Sequence, residues 1–337
     1  MEKKTKFRGK IAFFCVIVML AAASPAFSQN KELKDLKKTM GDFSGNLAES
    51  LPFNATMGLN WSDAYMQNFP HFGAGFSLGF TTMDAGSFNS LLKNFAISLP
   101  AELSGFGGFP IPGYTVEGRL GGFVLPFDIG FKFGMMPLPL KGDLTLDYLL
   151  FGGDIRYAVF NTKKIPVIPT ISLGLGFNHI SGGIGQKVGQ DIVYDYIDFT
   201  NSDTPAAITV KKPEVSVNWS VTTIDMKAQA SMSFVFFTPY IGVGASYGES
   251  KAGYGVKTTV EDNGGLLNNA SASQISKKFD IDNLKENGFS SEVTKGGWSV
   301  RTFGGFSVNL ALIRLDFTGF WNFEDKYGVT FGTRVQL

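Results

Sequence analysis

The stretch Leu125-Pro126-Phe127-Asp128-Ile129-Gly130-Phe131-Lys132-Phe133 puts large apolar groups at every odd position and Pro, Asp, Gly or Lys between them. A period of two places successive side chains on opposite faces of a strand, so one face is apolar and the other small or charged. The rhythm recurs along the chain. In 71–82 the even positions are Phe72, Ala74, Phe76, Leu78 and Phe80, and 171–177 sets Ile171, Leu173, Leu175 and Phe177 against Ser172, Gly174 and Gly176. Residues 313–323 and 327–337 repeat it, the last as Tyr327, Val329, Phe331, Thr333, Val335 and Leu337. A soluble sandwich alternates in the same way. Aromatic groups on the apolar faces, Gly on the polar ones and a terminal alternating strand instead favour a transmembrane barrel.

Composition agrees. The 337 residues include 41 Gly and 33 Phe, while charged residues reach only 18%, against about 25% in soluble domains. With 30 Lys+Arg against 29 Asp+Glu there is no basic surplus for a nucleic-acid partner. One Cys and two His exclude a disulfide framework and leave little for a zinc site, so no cofactor or metal is expected. Beyond residue 28 no stretch nears 18 consecutive apolar residues, which excludes helical spans.

Three segments stand apart. Residues 1–28 read as a cleaved secretory signal peptide: Lys3, Lys4, Lys6, Arg8 and Lys10 precede the apolar run Ile11–Ala23, and small Ala26 and Ser28 suit cleavage after Ser28. The only cysteine, Cys15, falls inside this segment. Residues 29–51 read as an amphipathic helix with Leu33, Leu36, Met40, Phe43, Leu47 and Leu51 three or four apart. The helix is expected either to plug the barrel mouth, with Leu33, Leu36, Met40 and Phe43 as the plug, or to lie on the periplasmic rim. Residues 88–112 are apolar but broken by Gly and Pro, so they form either a ligand landing site or a connection packed in the wall.

The remainder, 52–337, is expected to be an all-β antiparallel outer-membrane barrel of 10–14 strands. Strands are expected near 53–61, 70–82, 113–121, 125–134, 143–160, 166–178, 214–235, 239–248, 298–311, 313–323 and 327–337. Eleven cannot return the C-terminus to the periplasm. A twelfth within 84–112, around Phe95–Leu99, makes twelve the preferred count, with ten as the runner-up. Long loops are expected at 179–213 and 249–297, the second polar and mobile.

Charges on the Gly face are Glu117, Arg119, Asp128, Lys132, Asp154, Arg156, Asp225, Lys227, Arg301, Arg314, Asp316 and Arg334. Facing lipid, a mid-membrane Lys or Arg costs about 2–4 kcal/mol, so these residues are expected to line the lumen. There they form either an ion-pair network that fills the barrel or a polar constriction. His179 and Ser181 share a face at i, i+2, the arrangement of barrel-embedded lipid A deacylases, which the chain resembles over His179-Ile180-Ser181 alone. Asp191, Asp195 or Asp198 could supply an acid, but no catalytic site is expected.

The block Leu51-Pro52-Phe53 through Gly58-Leu59-Asn60-Trp61-Ser62-Asp63-Ala64-Tyr65, with Phe69-Pro70-His71-Phe72-Gly73, resembles the opening of spirochaete outer-membrane barrels. More loosely the chain is similar to the long-chain fatty-acid transporters, which place an N-terminal hatch before a barrel. It lacks their Asn-Pro-Ala signature, so their substrate class is not carried over. The expected function is passive uptake of small hydrophobic or amphipathic molecules through the outer membrane, with membrane lipids as surroundings and a hydrophobic ligand as partner. Alternatives are a closed structural or surface-interaction barrel whose long loops bind partners and, remotely, a membrane-embedded lipid hydrolase.

Overall fold

The computed structural model describes residues 30–64, 71–84, 86, 89, 108–122, 126–139, 144–160, 168–187, 192–198, 204–262, 265–266 and 288–337. The signal-peptide segment and the span 95–99 lie outside them. A helix, α1 (Asn30–Asn54), precedes twelve β-segments. These are β1 (His71–Met83), β2 (Phe109–Gly121), β3 (Phe127–Pro139), β4 (Leu144–Phe160), β5 (Thr170–Lys187), β6 (Ile192–Asp198), β7 (Thr204–Ser231), β8 (Phe237–Asp262), β9 (Gly265–Leu266), β10 (Gly288–Leu310), β11 (Ile313–Asn322) and β12 (Lys326–Gln336).

Ten of them close a ring. β1 pairs with both β2 and β12, and β7 pairs with β8, so the sheet joins its own two ends with every neighbour antiparallel. β6 and β9 only extend the far ends of β7 and β8. The barrel therefore has ten strands, not the preferred twelve. The reason is residues 53–61: they alternate like a strand but run inside the lumen, where every one of them is buried.

Period two sorts the side chains as the pleat requires. On β12 buried and exposed residues alternate from Gly328 onward. Outward go Phe72, Phe76, Leu78, Val116, Phe131, Phe133, Ile155, Leu173, Leu175, Val243, Phe317 and Trp321, an exposed apolar and aromatic coat. No described helix is long and apolar enough to cross a membrane.

The strands differ in length. β7, β8 and β10 span 28, 26 and 23 residues, whereas β11 and β12 span 10 and 11. Much of the two expected long loops is thus strand, because residues 204–213, 249–262 and 288–297 continue the ladders past the shorter strands. The tall strands raise one side of the wall at the end that carries the long connections.

Helix α1 packs inside that raised wall. Met40, Phe43, Leu47, Ala48, Leu51 and Ala55 form one cluster with Met83, Tyr148, Leu150, Ile180, Val221, Ala252 and Tyr254 of the strands. Leu33 and Leu36 lie on the same helix, and their side chains are not among those described. Pro52 sits inside the last turns. It has no N–H for the Ala48 carbonyl one turn back, and the wall supplies the missing donor: Ser250 Oγ donates to Ala48 O at 2.6 Å.

Candidate functional site

Past the helix the chain descends the lumen. Gly58 (φ 82°) and Leu59 (φ 57°) bend it through the left-handed region, and residues 60–64 reach the short-turn end, where Ala64 N donates to Ser231 Oγ at 2.8 Å. Glycine at 58 is required twice over. Its φ disfavours L side chains, and a Cβ there would meet Thr115 Oγ1 at 2.7 Å.

A chain crossing a lumen without secondary structure must satisfy its carbonyls from elsewhere. Here the wall satisfies most of them. Lys132 Nζ donates to Ala55 O at 2.7 Å and Met57 O at 2.5 Å. Lys227 Nζ donates to Leu59 O at 3.0 Å, and Tyr240 Oη to Asn60 O at 3.1 Å. Gln229 Nε2 reaches Trp61 O at 2.8 Å and Ser62 O at 3.0 Å, and Arg156 Nη1 reaches Asp63 O at 3.0 Å. The carbonyls of Thr56 and Gly58 accept from Asn60 Nδ2 within the segment.

Two side chains anchor this plug. Trp61 Nε1 donates to Glu117 Oε2 at 2.7 Å, and the guanidinium groups of Arg334 and Arg119 lie over its ring at 4.5 and 5.4 Å. Such contacts are attractive because the ring face is electron-rich. Asp63 is fully buried: its carboxylate accepts from Arg334 Nη2 at 2.6 Å and Gln336 Nε2 at 2.7 Å, with Arg314 at 3.7 Å. Burial alone would raise the Asp63 carboxyl, but Arg334, Arg314 and Arg156, with Gln336, hold it well below the usual carboxylate range.

Around the plug the wall charges form a network. Arg119 pairs with Asp128 and, at 2.8 Å, with Asp154. Arg156 reaches Asp128 at 2.6 Å, Lys227 reaches Asp154 at 2.7 Å, and Arg301 reaches Asp225 at 2.7 Å. Asp316 accepts from Ser307 and lies 3.4 Å from Arg334. All twelve charged positions singled out in the sequence lie on the lumen side, eleven buried and Arg314 half-buried. Their pairings run across strands rather than along them. Residues two apart on one strand stand about 6.6 Å apart, whereas neighbouring strands are about 4.8 Å apart, so the opposite-sign spacings within a strand set the face and not the partner.

Sequence reasoning missed Trp61, Asp63, Gln229, Tyr240 and Gln336. A signal for Asp63 was present. The expected lumen cations Arg119, Lys132, Arg156, Lys227, Arg301, Arg314 and Arg334 outnumber the acids Glu117, Asp128, Asp154, Asp225 and Asp316, which asks for an acid from outside the wall.

Little space remains beside the Trp61 anchor. The gap beside Trp61, Glu117 and Arg334 has room for about one water. Of the other expected features, Phe109–Pro112 begins β2, while 90–107 lies outside the described residues. His179 turns to the outer face, where Nδ1 meets Thr222 Oγ1 at 2.9 Å and the ring stacks near Phe151. Asp191 lies outside the described residues, and the side chains of Asp195 and Asp198 on β6 are not among those described. Among the described residues no group of three or more His, Cys, Asp and Glu is placed to hold a metal ion.

No known family description and no curated protein matches the chain, so the spirochaete and fatty-acid-transporter resemblances gain no support there. Among solved structures it is similar to the translocator domain of autotransporter NalP from Neisseria meningitidis, at 8% identity and a TM-score of 0.29, over 89% of this chain and 97% of that one. It is also similar to the TodX deltaS2S3 mutant monoaromatic hydrocarbon channel, at 6% identity and a TM-score of 0.24, over 80% and 90%. A mutant Rh. blastica porin gives 8% identity and a TM-score of 0.17 over 79% and 99%. These likenesses are too slight to assign a function, and the closed antiparallel barrel stands on its own strand pairing.

Proposed function

We propose that this chain is an outer-membrane β-barrel conduit for passive passage of small hydrophobic or amphipathic molecules, shut in the state described here by its own residues 40–64. The apolar coat would face the lipids, the long connections the exterior, and residues 1–28 would be the export signal. The proposal includes no catalytic step.

The observation that carries this reading is how the lumen is filled. A barrel that needed only to be solid could be packed by its own wall side chains. Here a separable length of chain fills it, gripped through side-chain donors on main-chain carbonyls that water can replace on release. Above the grip the filling is apolar, with Met40, Phe43, Leu47 and Leu51 against Tyr148 and Tyr254. A hydrophobic molecule could occupy that space once the helix moves.

The test is conductance and alkyl-dye uptake by the refolded mature chain beside two deletions. Removing 29–50 should leave the barrel silent, because Thr56–Ala64 still fill the lower lumen. Removing 29–64 should open it. A folded 29–64 deletion that passes neither ions nor dye would defeat the proposal. A second reading, a closed surface-interaction barrel acting through its long connections, is favoured by how tightly the described residues pack around Trp61, Glu117 and Arg334. It expects that silent result.

A further inference from the structure

The ladder between β2 and β3 is incomplete. It runs from Gly121–Asp128 to Val116–Phe133 and stops there. Yet β2 continues to Phe109 against β1, and β3 continues to Pro139 against β4. Bonds at the strand ends show which way the main chain faces. Gly122 N donates to Phe127 O, so even-numbered β2 residues and odd-numbered β3 residues turn their main-chain groups toward one another. Ala158 N donates to Pro126 O, which turns even-numbered β3 residues toward β4 and agrees.

Pro110 and Pro112 are even, and Pro137 and Pro139 are odd. At the same register Pro112 would oppose Pro137 and Pro110 would oppose Pro139. Proline carries no N–H, so above Tyr114 and Met135 the two facing edges present carbonyls and no donor. An open strand edge in hydrocarbon is ordinarily prohibited by unpaired polar groups; on this edge half of them are missing.

Two tyrosines occupy the seam. Tyr114 lies 6.2 Å from Phe76 on the outer face and stacks at 5.8 Å on Tyr148 on the lumen face, so it bridges the wall. Its hydroxyl donates to the Met135 carbonyl, taking the place of a ladder bond. Tyr148 is 8% exposed; its hydroxyl oxygen lies by the Tyr114 N–H, and its proton finds no acceptor among the described residues. It points at Gly113, where a Cβ would stand 3.2 Å away. Outside the seam lie exposed Val116, Phe133 and Met135.

We propose that the unladdered seam between β2 and β3 is a binding slot for a slender apolar chain bearing a hydroxyl or amide group. The inference rests on the reading of the barrel as a conduit for amphiphiles. The chain lies among the outer apolar groups, and its head donates to the seam carbonyls while accepting from Tyr148 Oη. A carboxylate only accepts and meets the carbonyl lone pairs, and an alkane does neither. Tyr114 already shows the pattern, a hydroxyl on an apolar body bonded to a seam carbonyl.

The probe is dodecanol carrying a diazirine at its far end, photolysed with the mature chain in phosphatidylcholine vesicles and located by mass spectrometry. Label should concentrate on 109–116 and 133–139. Dodecanol and dodecanamide should displace it at about tenfold lower concentration than dodecanoate at pH 8, the factor expected from one unmade hydrogen bond. Equal competition by dodecanoate, or label spread evenly over the apolar coat, overturns the proposal. The mature chain has no cysteine, so Ile111→Cys with Leu138→Cys provides a staple across the seam. Oxidation should abolish the seam label and reduction restore it, and label that persists when oxidised also overturns the slot. The readout is occupancy, not flux. Seam label in a barrel that stays silent after plug deletion removes the conduit and leaves the slot, and the reverse removes the slot alone.

Discussion

Replacing Asp63 by Asn tests the latch at its one buried anion. The carboxylate balances Arg334, whose side chain is 1% exposed, and among the described residues the one anion left to Arg334 when that charge is lost is Asp316 at 3.4 Å. Removing one partner of a buried pair costs about 3–5 kcal/mol. Asn retains an acceptor, so the low end, about 3 kcal/mol, applies. The cost falls on the plugged state alone, because release lets water reach Arg334. At about 1.4 kcal/mol per tenfold, the released population should rise roughly a hundredfold. Single-barrel recordings in planar bilayers read this as open probability, with heat-dependent gel mobility verifying the fold. Asp63→Asn with Arg334→Gln should recover part of the closure, since the buried guanidinium stranded by the first substitution is gone, and only part because Asp316 loses its ion pair. An unchanged open probability in a folded D63N barrel would refute the latch.

Three further outcomes follow from the same geometry. Phe131 is 65% exposed on the outer coat, so Phe131→Arg should lower the stability of vesicle-inserted barrels by about 2–4 kcal/mol in urea titrations, and no loss would argue against a lipid-facing coat. Because the Asp63 carboxyl is held below its ordinary range in the plugged state, its contribution is complete above the free carboxylate pKa of about 3.9. It is lost as pH falls through the lowered value, so closure should be flat from pH 8 to about pH 4, and opening near pH 6 would contradict the assignment. A Cβ on Gly73 would meet the Trp61 ring at 2.6 Å, so Gly73→Ala should cost the plugged state about 1–3 kcal/mol, seen as more frequent openings without loss of the barrel.

The wall was legible in the sequence because period two is a local property. Asp128, Gly130 and Lys132 point inward for the same reason that Phe131 and Phe133 point outward. Strand ends beyond the apolar coat were not legible, since residues 249–262 lose the apolar alternation while keeping their ladder. The stretch 53–61 misled because its apolar groups fall at every second position as a strand's do, although Phe53 and Asn54 end α1 and Gly58 and Leu59 are left-handed. What separates a thread from a strand is where the carbonyls find donors, and for Leu59, Trp61 and Asp63 those donors are Lys227, Gln229 and Arg156, far away in the chain. The seam depends on the register of two strands, which no single segment reveals.

The thread also constrains how the molecule is made. The chain passes from α1 at one mouth to Ala64 at the other, and only then begins the first strand of a ring that ends by pairing β12 with β1. A cord inside a hoop cannot be laid in from the side after the hoop is shut. It can enter along the axis, however, because it is joined to the ring only where β1 begins, and Lys132, Lys227 and Arg156 then take its carbonyls. The segment that stoppers the barrel is thus a cork tied to the bottle: once released it stays tethered at the mouth it must re-enter.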